Sequence, residues 1–246
     1  MHSFGKGTSS QGYLHIPDQK RKYNKELFAV VAPRYQFVTR ALSFGRDQSW
    51  KKTLVRELPE ITEGLIVDIA CGTGDITMAL ACRYTNATIL GMDLTPGMLA
   101  VADSRKKAEN VRYVCGDMHD LALDACSVSC VTGGYALRNA PELGAALKEI
   151  HRVLKPGGYA AFLDFSKPPL RLAQVLEHRV LHMWGSFWGM VLHKNPSVYA
   201  YIAESLRTYP DRVTLRKKLN AHSLKVLSSR PLFWGFAELT LCRKAP

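Results

Sequence analysis

The sequence of 246 residues contains no run of eighteen uncharged apolar residues, which excludes a bilayer-spanning helix of ordinary composition. Residues 1–18 also lack the apolar run of a secretory signal peptide, so we expect the protein to stay in the cytoplasm. The six cysteines show no zinc-like spacing, and we expect neither a metal site nor a disulfide framework. No internal repeat is present. The 47% of hydrophobic residues suffice for one globular core.

Acidic residues are scarce relative to basic ones. The net charge of +12 suggests an anionic partner, either nucleic acid or a membrane surface. The excess is unevenly distributed, because residues 66–164 carry −2 whereas residues 1–65 and 165–230 carry +5 and +8. The two alternatives therefore depend on what the flanking segments do.

The pattern of apolar residues divides the chain into regions. The Gly-, Ser- and Lys-rich residues 1–23 predict a mobile tail, and helical spacing over residues 24–64 predicts an N-terminal helical cap. Five short apolar runs alternate with helical patterns over residues 65–166, which predicts a doubly wound, mostly parallel α/β sheet. Residues 167–221 read as a helical insertion. Two further runs in residues 222–246 bring the predicted sheet to seven strands in a single domain, 24–246.

A strand followed by a Gly-x-Gly turn and a helix start is the most informative segment, Asp68–Asp75. The two glycines allow the backbone to approach a ligand, and the helix start offers free N–H groups. A dinucleotide site would need Gly or Ala at Thr77, and the Asp75 carboxylate would repel a pyrophosphate. The segment therefore favours S-adenosylmethionine over NAD, with a turn that binds no ligand as the remaining alternative. The predicted cofactor contacts in it are Asp68, Ala70, Gly72, Thr73 and Gly74.

Acidic residues also follow the next two predicted strands. Asp93 lies about twenty residues beyond the glycines, where a carboxylate can accept from both ribose hydroxyls. Asp117 can accept from an adenine amino group, with Met118 packed on the ring. Because parallel strands bring their carboxyl ends to one edge of the sheet, we expect these side chains to share a site. The neighbouring residues assigned to the same site are Leu94, Met98 and Gly134.

With these residues in place, the chain resembles the UbiE-type ubiquinone/menaquinone C-methyltransferases, a class I S-adenosylmethionine-dependent family. The resemblance covers roughly residues 28–212. Besides the glycine turn, it rests on the Tyr-Ala-Leu-Arg-Asn segment 135–139, on segments 152–158 and 163–168, and on the late segment 199–207. Asp164 stands where the family usually has Glu. In the N-terminal segment the departures from the family pattern are Gln36, Thr39 and Asp47, and residues 231–236 replace the usual ending.

The resemblance implies a Rossmann-like fold and C-methylation of a prenylated quinol or a related lipophilic aromatic. By the same resemblance, Arg138 stabilises the phenolate with Asn139 as its hydrogen-bonding partner, although pairing of Arg138 with a nearby acid remains an alternative. Tyr35 is predicted as a lid over cofactor and substrate, or else as a core aromatic. Tyr199 and Tyr201 lie two apart, so on a helix only one is expected to face the pocket. The predicted substrate pocket comprises Tyr199, His182 and Trp184.

Other functions compete with this interpretation. One is a methyltransferase that modifies another small molecule at carbon, oxygen or nitrogen, and another is a non-catalytic binding module of the same fold. A nucleic-acid methyltransferase is disfavoured because Gly133-Gly134-Tyr135 replaces the Asp/Asn-Pro-Pro-aromatic loop. The apolar segment 170–192 is predicted either to pack as a buried helix pair or to wall an elongated pocket. A homodimer is left open.

The distribution of charge decides between the two anionic partners. The predicted cofactor core carries −2, and the positive charge lies in the flanks that cap the substrate side. We therefore expect no nucleic-acid partner, and instead a peripheral contact between the cap and an anionic membrane face.

Overall fold

The computed structural model describes residues 16–105 and 108–245. Seven strands form one sheet in the order β3-β2-β1-β4-β5-β7-β6, in which β1 to β5 are parallel and β7 is antiparallel to both of its neighbours. This confirms the predicted doubly wound, mostly parallel α/β sheet. The strands are β1 Gly64–Ile69, β2 Ala87–Asp93, β3 Val111–Cys115, β4 Val128–Gly134, β5 Leu154–Phe165, β6 Leu224–Leu232 and β7 Ala237–Lys244.

Helices surround the sheet and form an additional cap on its carboxyl side. The central strands β1 and β4 are almost continuously apolar and buried, as expected for strands covered on both faces. The helices are α1 Pro17–Val31, α2 Tyr35–Leu42, α3 Asp47–Glu57, α4 Asp75–Arg83, α5 Pro96–Ser104, α6 Leu143–Val153, α7 Arg171–His193, α8 Ser197–Thr208 and α9 Arg212–Ala221.

The first helix begins earlier than the sequence pattern predicts. Residues 1–15 of the predicted tail lie outside the described residues, but residues 17–23 form the first turns of α1, so the boundary at residue 23 is wrong. Pro17 suits the first turn of a helix. Lys20 is buried and its Nζ donates to the carbonyl oxygens of Arg138 at 3.0 Å and Ala140 at 2.7 Å. The polar composition of this segment does not indicate a helix in the sequence, although the helix packs on the protein through the hydrogen bonds of Lys20.

The cap has its own apolar cluster. Residues of α1, α2 and α8 pack together above the sheet, and α7 lies along the outer side of α8. The two helices approach closely at Gly185 and Gly189, where a Cβ would come within 2.5 Å of the Tyr199 carbonyl oxygen and 2.6 Å of the Asn195 carbonyl oxygen. The cluster is built around Leu27, Val31, Val38, Leu42, Val198 and Tyr199.

Candidate active site

A cavity opens where the carboxyl ends of β1 to β4 meet. It holds about 700 Å³ of empty space, part of it open to solvent. Parallel α/β sheets bind ligands at this edge. Eight of the eleven predicted cofactor residues line the cavity: Ala70, Gly72, Asp93, Leu94, Met98, Asp117, Met118 and Gly134.

The glycine turn is tied to the end of the neighbouring strand. Gly72 and Gly74 have φ values of 57° and 78°, which an L side chain rarely adopts. The Gly72 N–H donates to Asp93 Oδ2 at 2.9 Å, and the Thr95 N–H donates to Asp93 Oδ1 at 2.8 Å. Each Asp93 oxygen therefore retains acceptor capacity toward the cavity. Burial raises the pKa of Asp93, against the effect of these two hydrogen bonds.

Asp68, Thr73 and Gly74 do not line this cavity. Asp68 is fully buried and accepts from Thr77 Oγ1 at 2.7 Å and Thr132 Oγ1 at 2.8 Å, so it braces the turn from below. Burial raises its pKa to about 6. Asp68 and Thr73 instead line a small polar cavity behind the turn, which Tyr35 also lines. The Thr73 hydroxyl is buried there without a hydrogen-bond partner among the described residues.

Asp75 does not line the larger cavity, and instead lines the small polar cavity behind the turn. It forms ion pairs with Lys51 at 2.9 Å and Arg105 at 3.1 Å, and accepts from Gln36 and Gln48. Lys51 dominates the favourable charges, and the pKa of Asp75 is lowered despite the opposing effect of burial. Its charge is therefore neutralised by protein cations. Asp75 therefore gives no electrostatic reason to exclude a pyrophosphate ligand.

Asp117 and Met118 lie at the far end of the cavity. The Asp117 carboxylate accepts from His119 Nδ1 at 2.6 Å and forms an ion pair with Arg21 Nε at 2.9 Å. The hydrogen bond from His119 lowers the pKa of Asp117. Arg21 belongs to α1, so the first helix closes this end of the cavity. Apolar side chains surround the remaining space, consistent with a site for a flat ring.

A second, apolar cavity adjoins the first. It contains about 560 Å³ of empty space and is walled by helices α1, α2 and α8. Phe28, Tyr35, Tyr135 and Asn139 line both cavities. These four side chains therefore form the part of the wall that the two cavities share.

Arg138 is the cation in the lining of the apolar cavity. Its backbone N–H and Nε donate to Asp164 at 2.9 and 3.3 Å, and its Nη1 contacts the Ser205 hydroxyl. The guanidinium also lies 5.6 Å from the Phe165 ring centroid. Arg138 thus pairs with a buried acid, the alternative left open above, and at the same time lines the cavity. Burial raises the pKa of Asp164, and Arg138 opposes that rise.

Asn139 belongs to a buried hydrogen-bond network. Its Nδ2 donates to the Tyr135 carbonyl oxygen at 2.7 Å, and its Oδ1 accepts from the Tyr201 hydroxyl at 3.0 Å. The Tyr201 hydroxyl also bonds to Asn24, whose Nδ2 donates to the Asn139 carbonyl oxygen at 2.8 Å. The 3₁₀ turn over residues 137–139 is therefore held from α1 and α8 together.

Tyr35 lies over the glycine turn. A Cβ on Gly72 would sit 3.6 Å from the Tyr35 ring. Tyr35 lines both large cavities and the polar cavity behind the turn, a position that fits the predicted lid. Burial, followed by the charge of Asp47, raises the pKa of Tyr35, so its phenol stays protonated at neutral pH.

Three expectations about the substrate pocket are corrected by the structure. Tyr199 and Tyr201 both line the apolar cavity, because Tyr201 reaches across to Asn139 and Asn24. His182 lies on the exposed side of α7, stacked on His178, and lines neither cavity. Trp184 donates to the Ala41 carbonyl oxygen outside the pocket. No α7 residue within the described part of the chain lines either cavity, which goes against the alternative that segment 170–192 walls the pocket.

Only one of the three N-terminal departures from the family pattern reaches the apolar cavity. Thr39 lines it. Gln36 donates to Asp75 at 2.7 Å, and Asp47 pairs with Lys51 at 2.7 Å and accepts from the Tyr135 hydroxyl at 2.9 Å. Gln36 and Asp47 therefore support the network behind the glycine turn.

Sequence reasoning missed the residues that reach the first cavity from outside the predicted strand ends. They include members of α1, whose start was set too late, and residues on neighbouring turns. The signal for the part of α1 before residue 24 was a proline followed by helix-forming residues. The missed lining residues are Arg21, Asn24, Lys25, Phe28, Ile69, Met92, Thr95, Gly116, Tyr135 and Pro141.

Residues 16–105 and 108–245 contain neither a candidate metal cluster nor a helix that could span a membrane. They contain no cluster of three His, Cys, Asp or Glu side chains arranged to hold a metal ion. No helix in the same residues has the length and apolar character needed to cross a bilayer.

A Rossmann-like sheet, a glycine turn tied to an acid on the second strand and an adjoining apolar cavity together define the class I methyltransferase architecture. Among solved structures, a chain of the Haloferax volcanii complex between the Trm112 methyltransferase activator and a putative methyltransferase matches with a TM-score of 0.67. The match has 19% identity and covers 89% of this chain and 98% of that one. At this identity the likeness concerns the fold alone.

Sequence comparison identifies the family. Residues 16–239 match the model of the ubiE/COQ5 methyltransferase family. The ubiquinone/menaquinone biosynthesis C-methyltransferase UbiE of Rubrivivax gelatinosus is 32% identical over 232 residues, covering 93% of this chain and 90% of the relative. The demethylmenaquinone methyltransferase of Thermus thermophilus is 34% identical over 208 residues, covering 81% and 92%. The chain belongs to the ubiE/COQ5 methyltransferase family, and it is an S-adenosylmethionine-dependent methyltransferase.

Proposed function

We propose that this enzyme methylates a ring carbon of a prenylated quinol. The observation that carries the proposal is a pair of adjoining cavities. One lies at the strand ends and is here called the strand-end cavity, and the other is apolar and lies under the helical cap. Tyr35 and Asn139 lie in the wall that they share. Methyl transfer requires a donor and an acceptor held close together and in line. Two sites with a common wall meet that requirement.

The strand-end cavity suits S-adenosylmethionine, which supplies an electrophilic methyl group on a sulfonium when bound. Asp93 offers carboxylate oxygens for ribose hydroxyls, and Met98 and Met118 offer apolar surface for the adenine. The orphaned Thr73 hydroxyl in the polar cavity behind the turn is a donor for the polar end of the cofactor. The unfilled Cβ position of Gly72 keeps room between the turn and Tyr35.

The acceptor ring belongs beside Arg138 in the apolar cavity. A quinol carbon becomes nucleophilic when the neighbouring hydroxyl loses its proton to water, and a fixed cation lowers the energy of the resulting phenolate. Arg138 is held by Asp164 and Ser205 and needs no reorientation to serve this purpose. A guanidinium does not give up its own proton near neutral pH, so the role of Arg138 is electrostatic. Asn139, fixed by Tyr201, is a hydrogen-bonding partner for the same oxygen.

The remaining wall accommodates the tail of the substrate. The helices of the cap contribute aliphatic side chains and few polar atoms, which suits an isoprenoid chain. A substrate with such a tail partitions into bilayers, so the enzyme is expected to work at the cytoplasmic face of a membrane. The aliphatic lining residues are Leu27, Val31, Val38, Leu42, Val198 and Ile202.

The test is incubation with methyl-labelled S-adenosylmethionine and demethylmenaquinol, with mass spectrometry and NMR of the product. We expect one added methyl group and loss of the signal of one ring proton. A methyl ether or a methylamine from an expanded panel of phenols and amines would replace the proposal with another small-molecule methyltransferase. Cofactor binding with no methylated product from any member of the panel would indicate a non-catalytic binding module.

A further inference from the structure

The outer side of α7 carries a long row of exposed apolar side chains, here called the outer ridge. Seven side chains recur at helical spacing over about 28 Å of helix. Leu172 and Met183 are 83% and 72% exposed. Isolated apolar residues are ordinary on protein surfaces, but a contiguous stripe marks an interaction site. The outer ridge consists of Leu172, Leu176, Val180, Met183, Phe187, Met190 and Val191.

Aromatic rings extend the apolar surface on one flank of the ridge. Neighbouring rings lie 4.9–5.9 Å apart between centroids in an unbroken chain across α2, α7 and the turn before β7. Trp234, at one end, is 92% exposed. Tryptophan, whose ring is amphipathic, favours the boundary between water and lipid, and the phenylalanines of the chain add apolar surface. The chain runs through Phe37, Trp188, Phe187, Trp184, Phe44, Phe233 and Trp234.

A basic groove lies on the other flank, along the N-terminal half of α7. It encloses about 1170 Å³, much of it open to solvent, and its lining includes Lys167, Arg171, Arg179 and Arg207. Arg171 and Arg179 form no ion pair or hydrogen bond with any described residue. Their charges are therefore available to an external anion.

Charge decides what covers this surface. The acid within α7 is Glu177, which is buried, whereas Arg171 and Arg179 are exposed and Lys194 follows the helix. In a symmetric contact between two copies, the same patch faces itself, so these cations would oppose one another without an exposed acid on α7. A bilayer containing anionic lipids complements both the apolar stripe and the cations beside it.

We propose that the outer ridge and the basic groove form the surface by which the protein rests on an anionic lipid bilayer. The ridge side chains enter the boundary between headgroups and acyl chains, and the cations of the groove contact lipid phosphates. No residue of the outer ridge or of the basic groove lines the apolar cavity, so docking does not require a change in the residues that line it. The inference does not depend on which molecule is methylated.

The test is co-flotation of the full chain with vesicles of phosphatidylcholine alone and of phosphatidylcholine with phosphatidylglycerol, at low and high salt. We expect binding to the anionic vesicles only, weakened by salt. Each basic residue near an anionic surface contributes roughly a factor of five, so Arg171→Gln with Arg179→Gln is expected to weaken binding about 30-fold. Met183→Glu with Phe187→Glu is expected to weaken it by at least about tenfold.

A matched control removes two exposed cations elsewhere. Arg112→Gln with Lys225→Gln makes the same charge change on β3 and β6 and is expected to leave vesicle binding within about twofold, since charges distant from the bilayer are screened. The affinity for S-adenosylmethionine and the methylation of a short-tailed, water-soluble quinol should remain unchanged in all three variants. These solution assays test the proposed reaction separately from the docking surface.

Three results would overturn the inference. The first is equal binding of the native chain to neutral and anionic vesicles, or to neither. The second is an equal loss of binding in the control variant. The third is a dimer in sedimentation velocity that Met183→Glu with Phe187→Glu dissociates while vesicle binding persists, which would assign the ridge to a second copy of the chain.

Discussion

The two adjoining cavities are built in different ways. The strand-end cavity is formed at the ends of parallel strands. There a turn and an acid are fixed by hydrogen bonds such as that from the Gly72 N–H to the Asp93 carboxylate. The apolar cavity is formed by side chains of the neighbouring helices α1 and α2, of the distant helix α8 and of the turn that contains Arg138. The first construction makes a site that recognises one cofactor. The second makes a site whose shape depends on how the helices pack.

The same contrast explains how far sequence reasoning reached. Strand ends and a Gly-x-Gly turn have fixed spacing along the chain, so eight lining residues of the strand-end cavity were predicted from the sequence. The apolar cavity depends on which face of each helix turns inward. Spacing on one helix predicted that Tyr199 and Tyr201 could not both face it, and the tertiary position of Tyr201 overrode that prediction.

Charged residues were the other source of error. Asp75 was expected to face the ligand, but Lys51 and Arg105 neutralise it, and neither partner is adjacent in sequence. Similarly, the burial of Lys20 depends on carbonyl groups about 120 residues away. A polar side chain gives no sign in the sequence of where its partner lies. The overall sheet was predictable because strand and helix periodicity are local.

Replacing Arg138 should have the largest effect and should separate the cavities most clearly. Arg138→Gln removes the cation that we propose stabilises a phenolate, so kcat should fall by about 10²–10³-fold, while the Kd for S-adenosylmethionine changes by less than about twofold. Single-turnover kinetics and calorimetry measure the two quantities.

Arg138→Lys and Asp164→Asn are the controls for this prediction. The lysine keeps a charge without the planar fork and should retain part of the rate. Loss of the Arg138–Asp164 pair also lowers stability, so thermal unfolding must show that each variant is folded at the assay temperature. A folded Arg138→Gln variant with native kcat would remove Arg138 from the chemistry.

Replacing Asp93 should produce the opposite pattern. Asp93→Asn weakens acceptance from ribose hydroxyls and should raise the Kd for S-adenosylmethionine by about 10- to 100-fold, while the KM for the quinol at saturating cofactor stays unchanged. Asp103→Asn makes the same change on an exposed position of α5 and should leave the Kd unaltered. Equal cofactor affinity in the two variants would place the ribose elsewhere.

A smaller change tests the apolar cavity alone. Val198→Ala removes two methyl groups from the wall, and we expect the KM for a long-tailed quinol to rise about three- to tenfold. The KM for a quinol without a tail should stay within about twofold of the native value. If both substrates respond equally, the tail does not lie against Val198.

The smallest effect concerns the buried Glu177, which faces the basic groove. Burial raises its pKa to about 8, partly offset by Arg212 of α9 and by Lys167. The other groups lining this region are Arg171, His178 and Arg179 of α7 and Arg207 of α8. Because the pKa is higher in the folded state, the folded protein retains a proton that the unfolded chain loses. Its stability therefore falls as the pH rises from the carboxyl's ordinary pKa, 4.5, through about 8.

Glu177→Gln removes that dependence. Its Tm should exceed that of the native chain by several degrees near pH 9, and the difference should vanish near pH 4. Thermal scans across this range measure it. A constant difference at every pH would show that Glu177 does not ionise within it.

We propose that a cofactor site at the strand ends and an apolar acceptor site share a wall formed in part by Tyr35 and Asn139. A crystal structure with S-adenosylhomocysteine and a prenylated quinol tests it most directly. We expect the ribose hydroxyls on the Asp93 carboxylate and the quinol ring beside Arg138, with its tail between α1, α2 and α8. A quinol bound outside the apolar cavity, with the cofactor in place, would contradict the account.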